Sequence, residues 1–181
     1  MLNWGVISAG GIASVFCNAM RFSKTGRISA VASRSGVRAK ELANKFSIPK
    51  HYSDYESLLA DDQIDVVYIS NIHPAHAEWT IKAAQAGKHI LVEKPIGMNS
   101  TEAESMIEAA QQNDIFLMEA FSYRPHPQTK KLVEIIQEGR IGRVQMLRAV
   151  FSYRSDFDPD SRLFAKELGG GAILDVGCYT T

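Results

Sequence analysis

Trp4-Gly5-Val6-Ile7-Ser8-Ala9-Gly10-Gly11-Ile12-Ala13-Ser14-Val15-Phe16 is the stretch that decides the fold. Trp4 to Ala9 are apolar or small, Gly10-Gly11 breaks the run, and Ile12, Ala13, Val15, Phe16 and Met20 follow at roughly helical spacing. That pattern predicts a strand, a glycine turn and a helix. The turn, Ser8 to Ala13, is a variant of the dinucleotide fingerprint G-x-G-x-x-G/A with Ser8 in the first glycine slot. Gly10 lets backbone approach a pyrophosphate, Ala13 lets helix pack close to strand, and the free N–H groups of the turn favour an anion. A glycine turn without a ligand would read the same way; placement at the first strand-helix junction favours the dinucleotide.

The alternation continues outward from this unit. Ile28 to Ser33 is a short β-branched run, Val37 to Phe46 a helix with Leu42, Ala43 and Phe46 inward, and Tyr55 to Leu59 a helical piece. Ile64 to Ser70 is nearly all apolar, as expected of a strand buried on both faces. Pro74 opens a helix that runs to Ala86 and ends at Gly87. The strand His89 to Glu93, the helix Thr101 to Gln112 with Asn99 or Ser100 as N-cap, and the strand Ile115 to Ala120 complete the series. The class is α/β: a doubly wound parallel sheet, or Rossmann fold, over residues 1–121.

Residues 122–181 read as the start of a second, α+β domain. Pro125 to Gln137 predicts a helix, Arg143 to Tyr153 a strand with one wet face, and Tyr153 to Glu167 a charged loop before Gly169-Gly170-Gly171 leads into a last helix. Ile141, Val144, Met146, Leu147, Val150 and Phe151 look prepared to pair with absent strands, which favours a fragment of a longer enzyme over a naturally short chain.

Twenty Lys and Arg balance twenty Asp and Glu across 181 residues, 45% of them hydrophobic. With no basic surplus, sequence-independent nucleic-acid or anionic-membrane binding is a poor expectation, and small molecules are the expected partners. Cys17 and Cys178 form no disulfide framework or zinc pattern, which fits a reducing, cytoplasmic compartment. His73 and His76 lack companions for a metal site, so no metal is expected. No run of about eighteen apolar residues offers a spanning helix. The apolar start, Met1 to Phe16, lacks a basic n-region and is broken by Gly10-Gly11, so it reads as fold rather than as a signal peptide.

NAD-binding versions of the fingerprint carry an acidic residue about twenty positions on, at the end of the second strand. Here that place holds Ser33-Arg34, with Arg38 one helical turn later. Two arginines favour a 2′-phosphate through charge-assisted bonds, hence NADP, with NAD left open. A solvated arginine face is the competing reading. Glu93-Lys94-Pro95 closes a parallel strand at its carboxyl end, where ligands bind in such sheets, although a surface Lys-Pro turn would look alike.

Ser8-x-Gly10-x-Ile12-Ala13, Asn71-Ile72-His73-Pro74-Ala75-His76, Glu93-Lys94-Pro95, Met118-Glu119-Ala120-Phe121 and Gly169-Gly170-Gly171-Ala172-x-Leu174-Asp175-x-Gly177 together resemble the Gfo/Idh/MocA oxidoreductases in order and spacing. Trp4-Gly5 and the ending Cys178-Tyr179 are most similar to the branch containing dimeric dihydrodiol dehydrogenase, NADP-dependent D-xylose dehydrogenase and glucose-fructose oxidoreductase. The resemblance implies hydride transfer between a nicotinamide cofactor and a secondary alcohol of a sugar or cyclic diol. It implies Tyr179 as proton acceptor, Lys94 as the cation supporting its phenolate, and Asp175 in support. A phenol near pKa 10 needs such a cation to act as a base at neutral pH. Asp175 lies four residues before Tyr179, so a helix would put both on one face.

The same resemblance places Asn71, His76, Glu93 and Lys94 beside the cofactor and Glu119 and Arg124 near cofactor or substrate. Arg154, in the charged loop, is a candidate for a polyol hydroxyl. It also implies a homo-oligomer formed through a C-terminal sheet. A non-catalytic NADP-binding regulatory or interaction module is the alternative function.

Overall fold

In the computed structural model, which describes residues 1–180, the apolar runs become six short strands. These are β1 (Leu2–Ile7), β2 (Gly26–Ala32), β3 (Lys50–Tyr52), β4 (Val66–Ile69), β5 (His89–Val92) and β6 (Leu117–Glu119). They form one sheet in the order β3-β2-β1-β4-β5-β6, and every neighbouring pair is parallel. Helices α1 (Gly11–Met20), α2 (Gly36–Phe46), α3 (Tyr55–Leu59), α4 (His76–Gln85) and α5 (Ser100–Gln112) make the crossovers. Strand order reverses between β1 and β4, and such a reversal opens a crevice at the carboxyl ends of the strands.

The core explains why β4 is apolar throughout: Val66, Val67, Tyr68 and Ile69 are all buried. Val67 and Ile69 join Ile7, Ile90 and Val92 of the sheet against Leu58, Trp79, Ala83 and Met106 of the helices. Each fully buried Leu, Ile or Met side chain contributes about 1.5–3 kcal/mol relative to exposure. Gly5 is part of this packing, because a Cβ there would lie 2.7 Å from Leu58 Cδ2. Lys88, almost fully buried, donates from Nζ to the carbonyls of Asp61 and Ile64 at 2.9 Å each, tying the α3–β4 connection to the start of β5.

No pattern in Lys50-His51-Tyr52 announces β3. It is an edge strand, held by register with Ala30–Ala32 and by the Asp61 carboxylate, which accepts from Lys50 Nζ and Tyr52 OH at 2.8 Å each. The Lys50 ammonium, ahead of the Gln63 amide and the Tyr52 hydroxyl, holds Asp61 below its ordinary carboxylate range. A depressed folded pKa contributes stability above the unfolded value of about 3.9, lost as pH falls through the folded value. Asp61→Asn should therefore be destabilised relative to the wild type at pH 6, and the gap should narrow at a pH well below the unfolded value of about 3.9. Urea melts at the two pH values check this, and a gap independent of pH would refute it.

Residues 1–119 form one compact unit and the remainder a second. In the second, α6 (Pro127–Gln137) is capped by the His126 side chain, and α7 is a single turn, Ala172–Asp175. Two expectations are overturned here. Arg143 to Tyr153 is not a strand: it has no ladder partner among the described residues, and Met146 and Leu147 are 85% and 74% exposed. Alternating polarity proposes a strand, but only pairing makes one. Nor do Asp175 and Tyr179 share a helical face. α7 stops at Val176, with φ −130° and ψ −20°, and a separate 3-10 turn, Gly177–Tyr179, follows. Gly177 permits that fold-back, since a Cβ there would lie 3.3 Å from the Ala172 carbonyl.

The triple glycine has a physical reason at each position. Gly169 and Gly171 take φ +75° and +116°, where side chains are strained, and at Gly170 a Cβ would lie 2.5 Å from the Phe164 carbonyl carbon. Among the described residues no helix is long and apolar enough to cross a membrane.

Candidate functional site

At the carboxyl end of β1, Ser8 sits at φ +86°, which is why this slot favours glycine. Its N–H donates to the Ala32 carbonyl at 2.9 Å and locks the turn to β2. Gly10 caps α1 with extended backbone and no side-chain hydrogen bond, and the first turn holds no acidic residue. By contrast α2, α3, α5 and α6 are capped by the side chains of Ser35, Asp54, Asn99 and His126. The first amides of α1 are thus left to an external anion. A Cβ on Gly10 would have only Ser8 Oγ within 4 Å, at 3.9 Å, and one on Gly11 nothing, so the turn is open to an approaching group. Ala13 is fully buried against the sheet side, while Ile12 is 46% exposed and offers the site only its backbone.

Ser33, buried at the end of β2, accepts from the Ser35 N–H at 3.2 Å. Arg34 and Arg38 are exposed, and neither guanidinium has a partner among the described residues. A shallow pocket of about 220 Å³ runs from Gly10 and Ser14 to Arg38, Glu41 and Lys45. Lys45 Nζ bridges the two helices by donating to Ser14 Oγ at 3.0 Å.

At the ends of β4 and β5 the polar groups converge. Both amide atoms of Asn71 are buried with no hydrogen-bond partner among the described residues, an arrangement that suits a polar ligand group. Tyr68 OH donates to Glu93 Oε1 at 2.6 Å, and Lys94 N–H to Glu93 Oε2 at 3.2 Å. The Lys94–Pro95 peptide is cis, and the Lys94 side chain is half-buried. His76 is fully buried, with Nδ1 2.8 Å from the Pro95 carbonyl and Nε2 3.1 Å from the Asn71 carbonyl. Burial holds its imidazole below the ordinary range, against the raising effect of those carbonyls. A neutral imidazole has one N–H to donate, so one of the two carbonyls accepts from the ring while the other only lies beside it, and His76 sits between the two strand-end loops. Glu119 likewise turns to backbone, its Oε1 accepting from the Ile96 N–H at 2.7 Å.

In the second unit Asp175 is buried, and its carboxylate accepts from Tyr153 OH and, at 3.1 Å, from Arg162. That carboxylate pushes the Tyr153 phenol up. The Tyr179 ring lies 5.3 to 5.9 Å, centroid to centroid, from Phe151, Phe121 and Tyr123. Arg124 and Arg154 are exposed. Tyr68, Glu102 and Tyr153 enter only with the structure, and Arg162, which the sequence offers with Arg154 in the charged loop as a candidate for a polyol hydroxyl, instead donates to Asp175. Of the first three, Glu102 alone left a signal, as the third residue after the Asn99 cap, with its amide donating to Asn99 Oδ1 at 3.0 Å.

Comparison with known proteins gives two family matches. Residues 2–121 match the oxidoreductase family with NAD-binding Rossmann fold, GFO/IDH/MocA, and residues 129–181 match the GFO/IDH/MocA C-terminal domain. The chain is 41% identical over 180 residues to a trans-1,2-dihydrobenzene-1,2-diol dehydrogenase of Danio rerio, covering 98% of this chain and 53% of that protein. It is 39% identical over 150 residues to a D-xylose 1-dehydrogenase (NADP(+)) of Haloferax volcanii, covering 83% and 46%. A 3-ketoreductase from Actinomadura kijaniata, crystallised with NADP and TDP-benzene, superposes with a TM-score of 0.90 at 34% identity, covering 98% of this chain and 55% of that one. The chain spans about half the length of these proteins.

Proposed function

Since the chain belongs to the GFO/IDH/MocA oxidoreductase family, we propose that it is the cofactor-binding part of an NADP-dependent oxidoreductase acting on a secondary alcohol of a sugar or cyclic diol, or on the matching ketone. The observation that carries the reading is the rim of the crevice. There an α1 terminus without a capping side chain, two exposed arginines past β2 and the buried Asn71 amide, these side chains without a partner among the described residues, all suit the parts of a phosphorylated dinucleotide. The relatives named for dihydrodiol and xylose oxidation support the substrate class, and Cys17 and Cys178, which form no disulfide with each other, suit a cytoplasmic setting.

Bound nicotinamide supplies or accepts the hydride. The chain's residues bind and handle protons. Gly10 and Gly11 admit the pyrophosphate to the amides of α1, and Ser33, Arg34 and Arg38 take the 2′-phosphate. As a hydride leaves the carbinol carbon, the hydroxyl proton passes to Tyr179, whose phenolate form is supported by the Lys94 ammonium. Asp175, fixed by Tyr153 and Arg162, steadies the segment that carries Tyr179.

Parallel titration of NADPH and NADH into the chain, by calorimetry, tests the cofactor assignment. NADPH should bind more tightly. Arg34→Ala should cost NADPH about 10- to 100-fold in affinity, the worth of a charge-assisted bond, and leave NADH unchanged. Equal loss for both cofactors would remove the 2′-phosphate assignment, and binding of neither would remove the function.

A further inference from the structure

The five residues Lys94 to Met98, which follow β5 and Glu93, form a loop whose backbone is gripped from several elements. From α4, His76 Nδ1 meets the Pro95 carbonyl at 2.8 Å. At the end of β6, Glu119 Oε1 accepts from the Ile96 N–H at 2.7 Å. On α5, Glu102 Oε2 accepts from the Met98 N–H at 2.9 Å, and Gly97 makes room for it, since a Cβ there would lie 3.1 Å from Glu102 Cβ. Tyr68 holds Glu93, the residue before the loop, at 2.6 Å. Two carboxylates and an imidazole are thus spent on peptide groups of a loop that carries a lysine, and each comes from a different helix or strand.

We propose that Glu119 is a positioning residue for Lys94: by accepting from the Ile96 amide, opposite the grip of His76 on Pro95, it fixes the turn that sets where the Lys94 ammonium stands. The consequence for catalysis rests on the reading of Lys94 given above; the mechanical claim does not. A carboxylate that merely filled space would be replaceable by any side chain of its size. One that positions the loop must keep an oxygen in place, so Glu119→Gln retains the function, whereas Glu119→Met, of similar size but without the oxygen, loses it as Glu119→Ala does.

The test compares acetylation rates of single lysines by peptide mass spectrometry, with exposed Lys24 and Lys40 as internal references. Glu119→Ala should raise the rate at Lys94 at least about threefold toward that of the references, as a loop freed from one tether exchanges among conformations, and Glu119→Gln should leave it unchanged. In turnover, Glu119→Ala should lower kcat with NADPH affinity preserved. In the unmodified protein the Ile96 amide should exchange with solvent at least ~10-fold more slowly than an unprotected amide, a readout that stands even if Glu119→Ala fails to fold. Unchanged Lys94 labelling in Glu119→Ala, equal effects of Ala and Gln, or an unprotected Ile96 amide would each overturn the proposal. Full activity of Lys94→Ala would instead remove the role of Lys94, leaving the labelling result intact.

Discussion

Tyr179→Phe is expected to lower turnover of a polyol, or of its ketone, about 10²- to 10⁴-fold, the usual contribution of a positioned acid or base, with NADPH affinity unchanged. The change removes one oxygen and keeps the ring, so the edge contacts with Phe121 and Phe151, at 5.5 and 5.3 Å, persist, and a thermal melt of the variant reports what the hydroxyl contributes to the fold. The effect therefore isolates chemistry from packing. Steady-state kinetics of the enzyme carrying this chain, with cofactor titration alongside, checks it. A loss below about threefold, far under the range for a positioned base, would return Tyr179 to the role of an aromatic packing residue. A parallel fall in Lys94→Ala, with the alkaline limb of the rate profile displaced, would support the cation's part in the same proton transfer.

Gly170→Ala should be the most damaging small substitution in the second unit, costing about 3 kcal/mol or more. An added Cβ would meet the Phe164 carbonyl carbon at 2.5 Å, the Ala165 carbonyl oxygen at 2.7 Å and the Ala165 nitrogen at 2.8 Å. All three are backbone atoms, so no rotamer change relieves the clash. Gly139→Ala is the control: φ is +69° but nothing lies within 4 Å, and only the ordinary left-handed penalty, about 1 kcal/mol, applies. Hydrogen exchange across residues 161–178 reports the difference. If Gly170→Ala were no worse than Gly139→Ala, the close approach would not be what the triple glycine serves.

The first unit was legible because its strands are covered on both faces, so burial writes itself into composition: β4 is Val-Val-Tyr-Ile with no polar interruption. β3 was not, because it is only three residues at the sheet edge, where Tyr52 alone packs against the core and Lys50 and Tyr52 are held by Asp61. Arg143 to Tyr153 failed for the converse reason, having the alternation of a strand but no partner. In the candidate site, the glycine turn and the arginines after β2 follow from local chain geometry and could be read directly. The grips of His76 on Pro95 and of Glu119 on Ile96 join residues 19 and 23 positions apart, and no local pattern foretells which backbone group a buried side chain will find.

The arginines past β2 also bear on how such an enzyme changes over evolutionary time. Arg34 and Arg38 stand in solvent with no partner among the described residues, and the interior does not lean on either. Mutations there escape the purge that removes unstable variants, because surface changes away from packing and capping cost little folding free energy. If these arginines read the 2′-phosphate as proposed, a lineage can trade one nicotinamide pool for the other by drift at a few codons, never passing through a misfolded ancestor, whereas the lysine loop, gripped from three surrounding elements, leaves selection far fewer viable neighbours.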